Sequence, residues 1–314
     1  MKLATVLHEG RPTAALADPA RGLYWPLDEA VPGLPPRIAG DMVAVIAHLG
    51  KGSSIAAPGA SGHALDGAKL LAPIPAPPHN VMCVGKNYHA HAHEFTKSGF
   101  DAGATAADAV PKHPIIFTKP SSSLAGPYDD IPLWPGLDQA VDYEAELAVV
   151  IGQGGRFIPR EQAMAHVFGY TVINDVTARD LQQVHKQWFL GKGIDGYGPM
   201  GPWITTADEV DGADLRVTCR VNGELRQDSS TADLIFDIPT LIEVISRSVT
   251  LSPGDVIATG TPEGVGIGFD PPRFLQDGDV VEVEIAGVGA IRNTVRRMAV
   301  EPRQGAAREA VAAQ

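Results

Sequence analysis

The sequence predicts a mostly β, α+β fold, a mixed β-roll or sandwich with a small β-rich domain at the N-terminus. Short apolar or alternating runs typical of strands outnumber the helical patterns along the 314 residues. Gly and Pro, at 34 and 26 residues, are frequent but not periodic, which indicates many turns. A proline-rich segment then separates a short N-terminal part from a longer remainder.

Composition and charge exclude several classes of protein. A hydrophobic fraction of 44% argues against disorder, and 25 Lys+Arg against 37 Asp+Glu give a net charge of −12, which argues against nucleic acid as the main partner. No apolar run approaches the ~20 residues of a membrane span, and the N-terminus lacks the apolar core of a secretory signal. Cys83 and Cys219 lie in apolar strand-like contexts and predict buried thiols. We expect a cytoplasmic protein without a membrane partner.

The N-terminal part predicts three strands and one helix before the linker. Residues 2–7, 14–17 and 22–27 are strand-like, and residues 41–49 have helical spacing with Asp41 as N-cap and Gly50 as the stop. Four prolines within residues 73–78 impose an extended segment. The predicted division is a small N-terminal domain over 1–72, a linker over 73–79, a catalytic domain over 80–301 and a frayed tail over 302–314.

The longer part predicts more strands than helices. A polar loop over 86–94 enters a short helix, residues 98–112 form a surface excursion, and Asn222-Gly223 is a strong hairpin signal. Helices are predicted over 159–168 and 238–249. Strands are predicted over 80–85, 115–117, 141–151, 169–174, 215–221, 223–226, 256–259, 278–285 and 290–300.

Two carboxylates share one face of the predicted strand over 141–151. Glu144 and Glu146 are two residues apart, and residues i and i+2 of a strand point the same way. Like charges this close repel unless a cation lies between them, and oxygen ligands suit Mg²⁺, Mn²⁺ or Ca²⁺. The alternative is an exposed strand face on which both side chains are merely solvated.

Asp175 offers a third carboxylate at the end of the predicted strand over 169–174. Arg179 and Gln182 follow at i+4 and i+7, on one face of the helix or turn that begins there. The alternative is that Asp175 is only the N-cap of a helix.

Three alternate histidines lie in the segment that enters the first helix of the longer part. His89 and His93 are spaced i, i+4, but no Cys or second His cluster completes a zinc site. His91 and Glu94 are spaced i, i+3, so the carboxylate can orient the imidazole as a general base. The alternative is a surface helix pair worth a few tenths of a kcal/mol.

Three lysines and a glycine-rich loop are the remaining candidates for the functional site. Lys192 lies between two glycines and can reach a cleft, whereas Lys86 and Lys119 follow strand ends; each alone is typical of a solvated surface lysine. The loop over 259–266 lacks the Gly-Lys-Ser/Thr of a phosphate loop, so we expect its N–H groups and Thr261 to face a small oxyanion. The sequence has no Gly-x-Ser-x-Gly elbow, which argues against a serine hydrolase.

Taken together, these motifs closely resemble the fumarylacetoacetate hydrolase family, in order from about residue 79 to about 298. The resemblance implies a mixed β-sandwich roll, a homodimer and a divalent metal, Mg²⁺ or Mn²⁺ with Ca²⁺ as a further candidate. The motifs are Asn87-Tyr88-x-x-His91-x-x-Glu94, Phe117-x-Lys119-Pro120-Ser121-Ser122, Asp142-Tyr143-Glu144-Ala145-Glu146-Leu147, the run 174–182, Gly198-Pro199-Met200-Gly201-Pro202-Trp203 and the loop 259–266.

The resemblance also implies a role for each candidate residue. The metal ligands would be Glu144, Glu146 and Asp175. The catalytic residues would be His91 and Glu94, which activate water on a lid, and the active-site Lys192. Substrate-binding residues would be Arg179, Gln182, Thr261 and Lys119. Two stretches depart from the compact acylpyruvate-cleaving members: residues 95–112 are longer, and residues 193–198 differ from the expected pattern after the lysine.

The expected activity is metal-dependent hydrolysis of a C–C bond in a small oxo-acid, a 2,4-dioxo acid of the acylpyruvate, fumarylpyruvate or fumarylacetoacetate type. One alternative within the family is isomerisation of 2-hydroxy-diene-dioates, or decarboxylation of oxaloacetate-like acids, in aromatic catabolism. Another is a catalytically silent metal-binding protein. Residues 98–112 directly follow His91 and Glu94, so they are predicted either to close as a lid over substrate or to be a plain surface insertion.

Overall fold

The computed structural model describes residues 1–31, 34–50, 55, 61–99 and 109–299. The predicted tail over 302–314 and most of the excursion over 98–112 lie outside these residues, so the lid stays a prediction. The fold is mostly β with few helices, as predicted. Within the described residues, no helix combines the length and the apolar character needed to cross a membrane.

Within its described residues, the N-terminal part forms five short strands and three helices, against the three strands and one helix predicted. Asp41 caps the third helix as predicted, because its carboxylate accepts the Val43 N–H at 2.9 Å, and Gly50 follows the last turn. The predicted strand over 22–27 is shorter, since a helical turn begins at Leu27. The elements are β1 (Lys2–His8), β2 (Arg11–Asp18), β3 (Leu23–Pro26), α1 (Leu27–Ala30), α2 (Pro36–Ala39), α3 (Met42–Leu49), β4 (His63–Ala64) and β5 (Leu70–Leu71).

The first half of the longer part carries the elements that hold the candidate residues. The predicted helix over 159–168 is wrong in type: Arg160–His166 is a 3₁₀ helix after Pro159, and the next strand already begins at Val167. The predicted strand over 141–151 is interrupted at Tyr143-Glu144. The elements are β6 (Val81–Gly85), α4 (His89–Lys97), β7 (Ile115–Lys119), β8 (Leu124–Ala125), β9 (Ile131–Leu133), β10 (Val141–Asp142), β11 (Ala145–Ile151), β12 (Val167–Asn174), β13 (Thr177–Ala178), α5 (Arg179–His185) and α6 (Phe189–Lys192).

The second half follows the predicted pattern in most elements, but the strand over Gly198–Thr206 was not predicted, and the strand predicted over 223–226 extends to Ser230. Asn222 and Gly223 take positive φ angles of 52° and 80° in a two-residue hairpin turn, the conformation that Asn-Gly favours. Asp237 caps the last helix by accepting the Thr240 N–H at 3.0 Å. The elements are β14 (Gly198–Thr206), β15 (Arg216–Val221), β16 (Glu224–Ser230), α7 (Ile238–Ser248), β17 (Val256–Ala258), β18 (Val280–Ile285) and β19 (Gly289–Arg297).

Two sheets organise the described residues. The larger has the order β4-β3-β2-β1-β14-β12-β11-β17-β6-β7, with β5 on β1 and β8 on β14. The smaller has the order β16-β15-β18-β19-β9, and β10 pairs with β13. The N-terminal strands therefore continue the large sheet through β1 and β14, where Leu3 lies opposite Ile204. The division into two domains stays a prediction.

The main core lies between the two sheets and explains why the site is buried. Side chains of β11 and β12 pack against those of β15, β18 and β19. Every residue of β11 is buried, so its sequence does not alternate between core and solvent. Cys83 and Cys219 are buried free thiols, as predicted. The candidate residues on these central strands are consequently shielded from bulk water.

Candidate functional site

Three carboxylates meet where β11 begins and β12 ends. The Glu144 N–H donates to the Asn174 side chain at 3.0 Å, and the Asp175 N–H donates to the Glu144 carbonyl at 2.8 Å. These bonds hold the strand ends side by side. One carboxylate oxygen from each of Glu144, Glu146 and Asp175 lies within 4.8 Å of the others. At most 5% of each residue is exposed, so the solvated strand face is wrong.

Asp175 does not cap a helix. The next helix, α5, begins only at Arg179, after strand β13, and its N-cap Ala178 makes no side-chain bond. The carboxylate of Asp175 instead faces two lysines. Its Oδ1 lies 2.7 Å from Nζ of Lys119, and its Oδ2 lies 2.7 Å from Nζ of Lys192. The N-cap alternative is therefore wrong.

Three buried cations surround the carboxylates. Nζ of Lys192 also donates to Oε2 of Glu144 at 2.7 Å, and Nη1 of Arg179 lies 2.7 Å from Oε1 of Glu144. Lys192 is the last residue of the short helix α6. Helix geometry therefore positions its side chain, although the sequence predicted that flexible glycine neighbours would do so. Lys119 and Lys192 are at most 2% exposed. They are not solvated surface lysines.

Burial and charge set the protonation of the two glutamates in opposite directions. Burial would raise the pKa of Glu144, but Lys192 and Arg179 outweigh it and lower this pKa to about 2. Burial, together with Asp175 and Glu144, raises the pKa of Glu146 well above its ordinary range. Glu146 accepts the Gly260 N–H at 2.8 Å, and the described residues provide no ion-pair partner for it. It is the carboxylate that lacks a counter-charge.

The site fits a divalent cation. Four carboxylates, including Asp142, are buried together with three cations, so ionisation of all four leaves one negative charge that the protein itself does not compensate. A divalent ion would supply the counter-charge that Glu146 lacks, and carboxylate oxygens are the ligands that such hard cations prefer. Glu144, Glu146 and Asp175 are the residues that would hold it.

The pKa of Glu146 predicts how stability depends on pH in metal-free buffer. Between its ordinary value of 4.5 and the raised value, the folded state keeps a proton that the unfolded state releases. The free energy of unfolding should therefore fall as pH rises above 4.5, by up to about 1.4 kcal/mol per unit. Glu144 does not mask this trend, because its lowered pKa acts only below 4.5.

Urea unfolding at several pH values, with chelator present, should show the slope in the wild type and not in Glu146→Gln. Subtracting the two curves removes the contributions of groups that do not interact with Glu146. Saturating Mg²⁺ should also remove the wild-type slope, since the ion replaces the proton. Parallel curves for the two proteins in chelator would contradict the buried, uncompensated Glu146.

The His91–Glu94 pair lies on α4 and faces the same pocket. Nδ1 of His91 is 3.2 Å from Oε2 of Glu94, whose Oε1 accepts the Gly264 N–H at 3.0 Å. His91 is 4% exposed, so this is not a surface helix pair. His89 and His93 are exposed and belong to none of the metal-ligating groups found among the described residues.

The glycine-rich loop binds carboxylates of the protein itself, which corrects the expectation that it faces a small oxyanion. Its Gly260, Gly264 and Gly266 N–H groups donate to Glu146, Glu94 and Asp142 respectively. Gly260 has a φ of +102°, and a Cβ there would lie 2.8 Å from Cβ of Asn87, so only glycine fits. The loop thus positions Glu146 and Glu94, which are candidates for metal binding and for proton transfer respectively.

The pocket is small, with a cavity volume of about 20 Å³, far below the usual range for drug-sized ligands. Arg179 donates from Nη1 to Gln182 at 3.1 Å and from Nε to Asp142 at 2.9 Å, while its buried Nη2 has no partner among the described residues. Thr261 accepts from Gln227 at 2.8 Å. The lining residues are Val84, Gly85, Lys86, His91, Phe95, Phe117, Glu144, Glu146, Arg179, Gln182, Trp188, Lys192 and Thr261.

All ten predicted site residues therefore converge, either on the pocket wall or in direct contact with it. Three further residues belong to the site without a role predicted from the sequence: Asp142, Gln227 and Trp188. Asp142 joins Arg179 to the glycine-rich loop, and Gln227 joins Thr261 to the Ala145 N–H. The position of Asp142 at the start of the Asp142–Leu147 motif was a usable signal for it. Gln227 and Trp188 had none, because only the fold brings them to the site.

Comparison with known proteins finds a matching family model and several named relatives. The model for "Fumarylacetoacetate (FAA) hydrolase C-terminal" matches residues 80–296. Oxaloacetate tautomerase YisK of Bacillus subtilis is 47% identical over 234 residues, which cover 74% of this chain and 75% of that protein. The human mitochondrial oxaloacetate tautomerase FAHD2A is 48% identical over 229 residues, which cover 72% and 69%.

Solved structures share the fold over almost the whole chain. A fumarylacetoacetate hydrolase from Exiguobacterium antarcticum has a TM-score of 0.78 at 42% identity and covers 95% of this chain and 100% of its own. A 2-hydroxyhepta-2,4-diene-1,7-dioate isomerase from Mycobacterium marinum has a TM-score of 0.72 at 32% identity. The match covers 96% of this chain and 100% of that chain. A third structure is a maleylpyruvate hydrolase from Sphingobium sp. SYK-6 in complex with manganese (II) ion and pyruvate. It has a TM-score of 0.73 at 31% identity, and the match covers 95% of this chain and 100% of that chain.

These relatives correct the expected reaction. Hydrolysis of a C–C bond was the main expectation, but named relatives at 47–49% identity are oxaloacetate tautomerases, which are isomerases. The isomerase alternative agrees better with them. The groups that would stabilise an enolate suit both reactions, so the motifs alone do not distinguish isomerisation from hydrolysis. The fold, the carboxylate cluster and the match over residues 80–296 lead to one family assignment: this chain belongs to the fumarylacetoacetate hydrolase family.

Proposed function

We propose that this protein is a tautomerase that interconverts the keto and enol forms of a small 2-oxo dicarboxylic acid of the oxaloacetate type. The observation that carries the proposal is 47% identity to an oxaloacetate tautomerase over 74% of the chain. The reaction moves one proton between carbon and oxygen and consumes no water. It therefore needs a base, an acid and stabilisation of negative charge, all of which the pocket provides.

The proposed cofactor is Mg²⁺ or Mn²⁺, with Ca²⁺ as a further candidate, held by Glu144, Glu146 and Asp175. Their mutual distances, their burial and the missing counter-charge of Glu146 support it. When bound, a divalent cation acts as a Lewis acid toward the oxo group of the substrate. The Mn²⁺ in the Sphingobium relative is in line with this choice.

The proposed base is His91. With Nδ1 protonated and donating to Glu94, Nε2 becomes the ring nitrogen that can accept a proton from the carbon next to the oxo group. The negative charge that develops on the substrate oxygen lies near the ammonium of Lys192, a buried cation. Burial would lower the pKa of Lys192, but Asp175 and Glu144 raise it, so the lysine stays charged. The proton returns to that oxygen and completes the exchange.

The proposed substrate-binding residues are Arg179, Gln182 and Thr261, whereas Lys119, which the resemblance also implied, does not line the pocket. The unpartnered Nη2 of Arg179 suits a substrate carboxylate oxygen, because a buried donor without an acceptor is costly. Lys119 contacts Asp175 and the carbonyls of Val176 and Lys192, so its role is to hold the cluster. This places it behind the pocket wall.

A second candidate substrate class is a 2-hydroxy-diene-dioate, supported by the structural similarity to the isomerase from Mycobacterium marinum. The same base and cation would relocate a proton along the conjugated chain.

A homodimer is also proposed. An apolar surface patch with exposed Phe189 and Leu190 supports it, since large apolar patches mark association sites.

Stopped-flow absorbance with freshly dissolved enol-oxaloacetate tests the proposed reaction. We expect Mg²⁺-dependent acceleration of the loss of enol absorbance, with oxaloacetate conserved in total. An assay for pyruvate and CO₂ detects decarboxylation, and a 2-hydroxy-diene-dioate in parallel tests the second class. No acceleration with either substrate, at full metal occupancy, would contradict the proposal and leave a silent metal-binding protein.

A further inference from the structure

A second cluster of metal-ligating side chains lies in the N-terminal part, outside the residues that the family model matches. His8 ends β1, Glu29 lies in α1 and His63 begins β4. Nε2 of His8 is 3.3 Å from Oε1 of Glu29, and Nε2 of His63 is 2.9 Å from Oε2 of Glu29. One donor atom from each residue lies within 4.8 Å of the other two. Three separate elements thus aim their ligand atoms at one point.

Tyr24 supports the ring of each histidine. Its hydroxyl lies 3.1 Å from Nδ1 of His8, and its ring stacks on His63 with centroids 5.3 Å apart. The second contact follows from sheet register, because Tyr24 and His63 are directly opposite each other on β3 and β4. A histidine that binds metal through Nε2 must carry its proton on Nδ1 and needs an acceptor there. The phenol oxygen of Tyr24, itself buried, is that acceptor for His8.

We propose that His8, Glu29 and His63 form a transition-metal site that takes Zn²⁺. Two imidazoles and one carboxylate are a ligand set of open zinc sites, in which water fills the fourth position. His63 and Glu29 are 43% and 52% exposed, which leaves room for that water and for the small rotations that close the site. The nitrogen ligands distinguish it from the all-oxygen cluster, which suits hard cations. A bound ion would join β4 to β1 and α1.

Titration of the full-length, Mg²⁺-saturated protein with Zn²⁺, by calorimetry, tests the site. Co²⁺ in place of Zn²⁺ reports the nitrogen ligands through its visible spectrum. We expect about one equivalent of Zn²⁺ to bind. His63→Ala should weaken binding by more than the roughly 10- to 100-fold typical of an outer-shell change, and Tyr24→Phe should fall within that range. His113→Ala removes an exposed histidine outside the cluster and should bind as the wild type does.

The Glu146→Gln background separates this site from the proposed catalytic metal centre. Zinc binding should persist there, whether or not the tautomerase activity exists. Loss of the zinc equivalent in Glu146→Gln, or its survival in His63→Ala, would overturn the proposal. Should His63→Ala fail to fold by circular dichroism, Glu29→Gln and Tyr24→Phe carry the same test, and unchanged affinity in both would overturn it.

Discussion

Replacing Glu146 by Gln should lower tautomerase turnover by roughly 10³-fold at fixed Mg²⁺, since loss of the Lewis acid costs about 4 kcal/mol of charge stabilisation. The substitution keeps the shape of the side chain and its contact with the Gly260 N–H, but removes the charge that would bind the ion. Chelator should produce a loss of similar size in the wild type, and added Mg²⁺ or Mn²⁺ should reverse it. Initial rates and metal content measured on the same samples provide the check.

Glu284→Gln is the matched control for this variant. Glu284 belongs to a second Glu-x-Glu pair, on β18, and its side chain is exposed. It should retain both metal and activity. Full activity of Glu146→Gln in metal-free buffer would contradict the assignment of the three carboxylates, and equal losses in the two variants would indicate a general effect of charge.

Replacing Glu94 by Gln should lower the rate by roughly 10²–10⁴-fold, the usual contribution of a positioned base, with metal content unchanged. The carboxylate fixes Nδ1 of His91 as a donor, and an amide can instead present its own N–H to that nitrogen. Nε2 would then lose its role as the acceptor. The pH dependence of kcat/KM, measured with metal quantified, distinguishes this loss from one at the carboxylate cluster.

His89→Gln, on the exposed start of the same helix, controls for disturbance of α4. It should leave the pH profile and the rate unchanged. Glu94→Gln with a wild-type rate would mean that the proton passes through a different group. In that case Lys192, the other titratable side chain assigned to proton or charge transfer, becomes the candidate to test.

The two Glu-x-Glu pairs show that a local sequence pattern predicts which side chains share a face but not whether they are buried. Glu144/Glu146 and Glu282/Glu284 both lie in strand-like sequence, so the pattern alone predicts two carboxylates on one face in each case, although Glu144 itself precedes β11. The first pair is buried between the two sheets beside Asp175, and the second lies on the hairpin β18–β19 with Glu284 in solvent. Only the resemblance separated them at the sequence level, because burial depends on what packs against a strand.

Local signals predicted the local structure well. The Asp41 cap, the Asn222-Gly223 turn and most strands follow from interactions within a few residues, which a sequence displays directly. The same holds for the contact between His91 and Glu94, since one turn of α4 brings them together. The helix predicted over 159–168 was wrong in type, because the residue spacing in the sequence does not distinguish an α-helix from a 3₁₀ helix.

The reaction and the electrostatics of the pocket depend on long-range packing. In the sequence, Lys119 and Lys192 resemble ordinary surface lysines, but in the fold β7 and α6 position them beside Asp175. The glycine-rich loop resembles an anion-binding loop, but in the fold its N–H groups donate to Glu146, Glu94 and Asp142. The sequence therefore specifies the strands, the turns, the family and the set of reactive side chains. Which carboxylates are buried, which cations neutralise them and which one lacks a counter-charge arise only in the folded protein. The reason is that pKa values and ion binding respond to burial and to charges within a few ångströms, and residues far apart along the chain supply both.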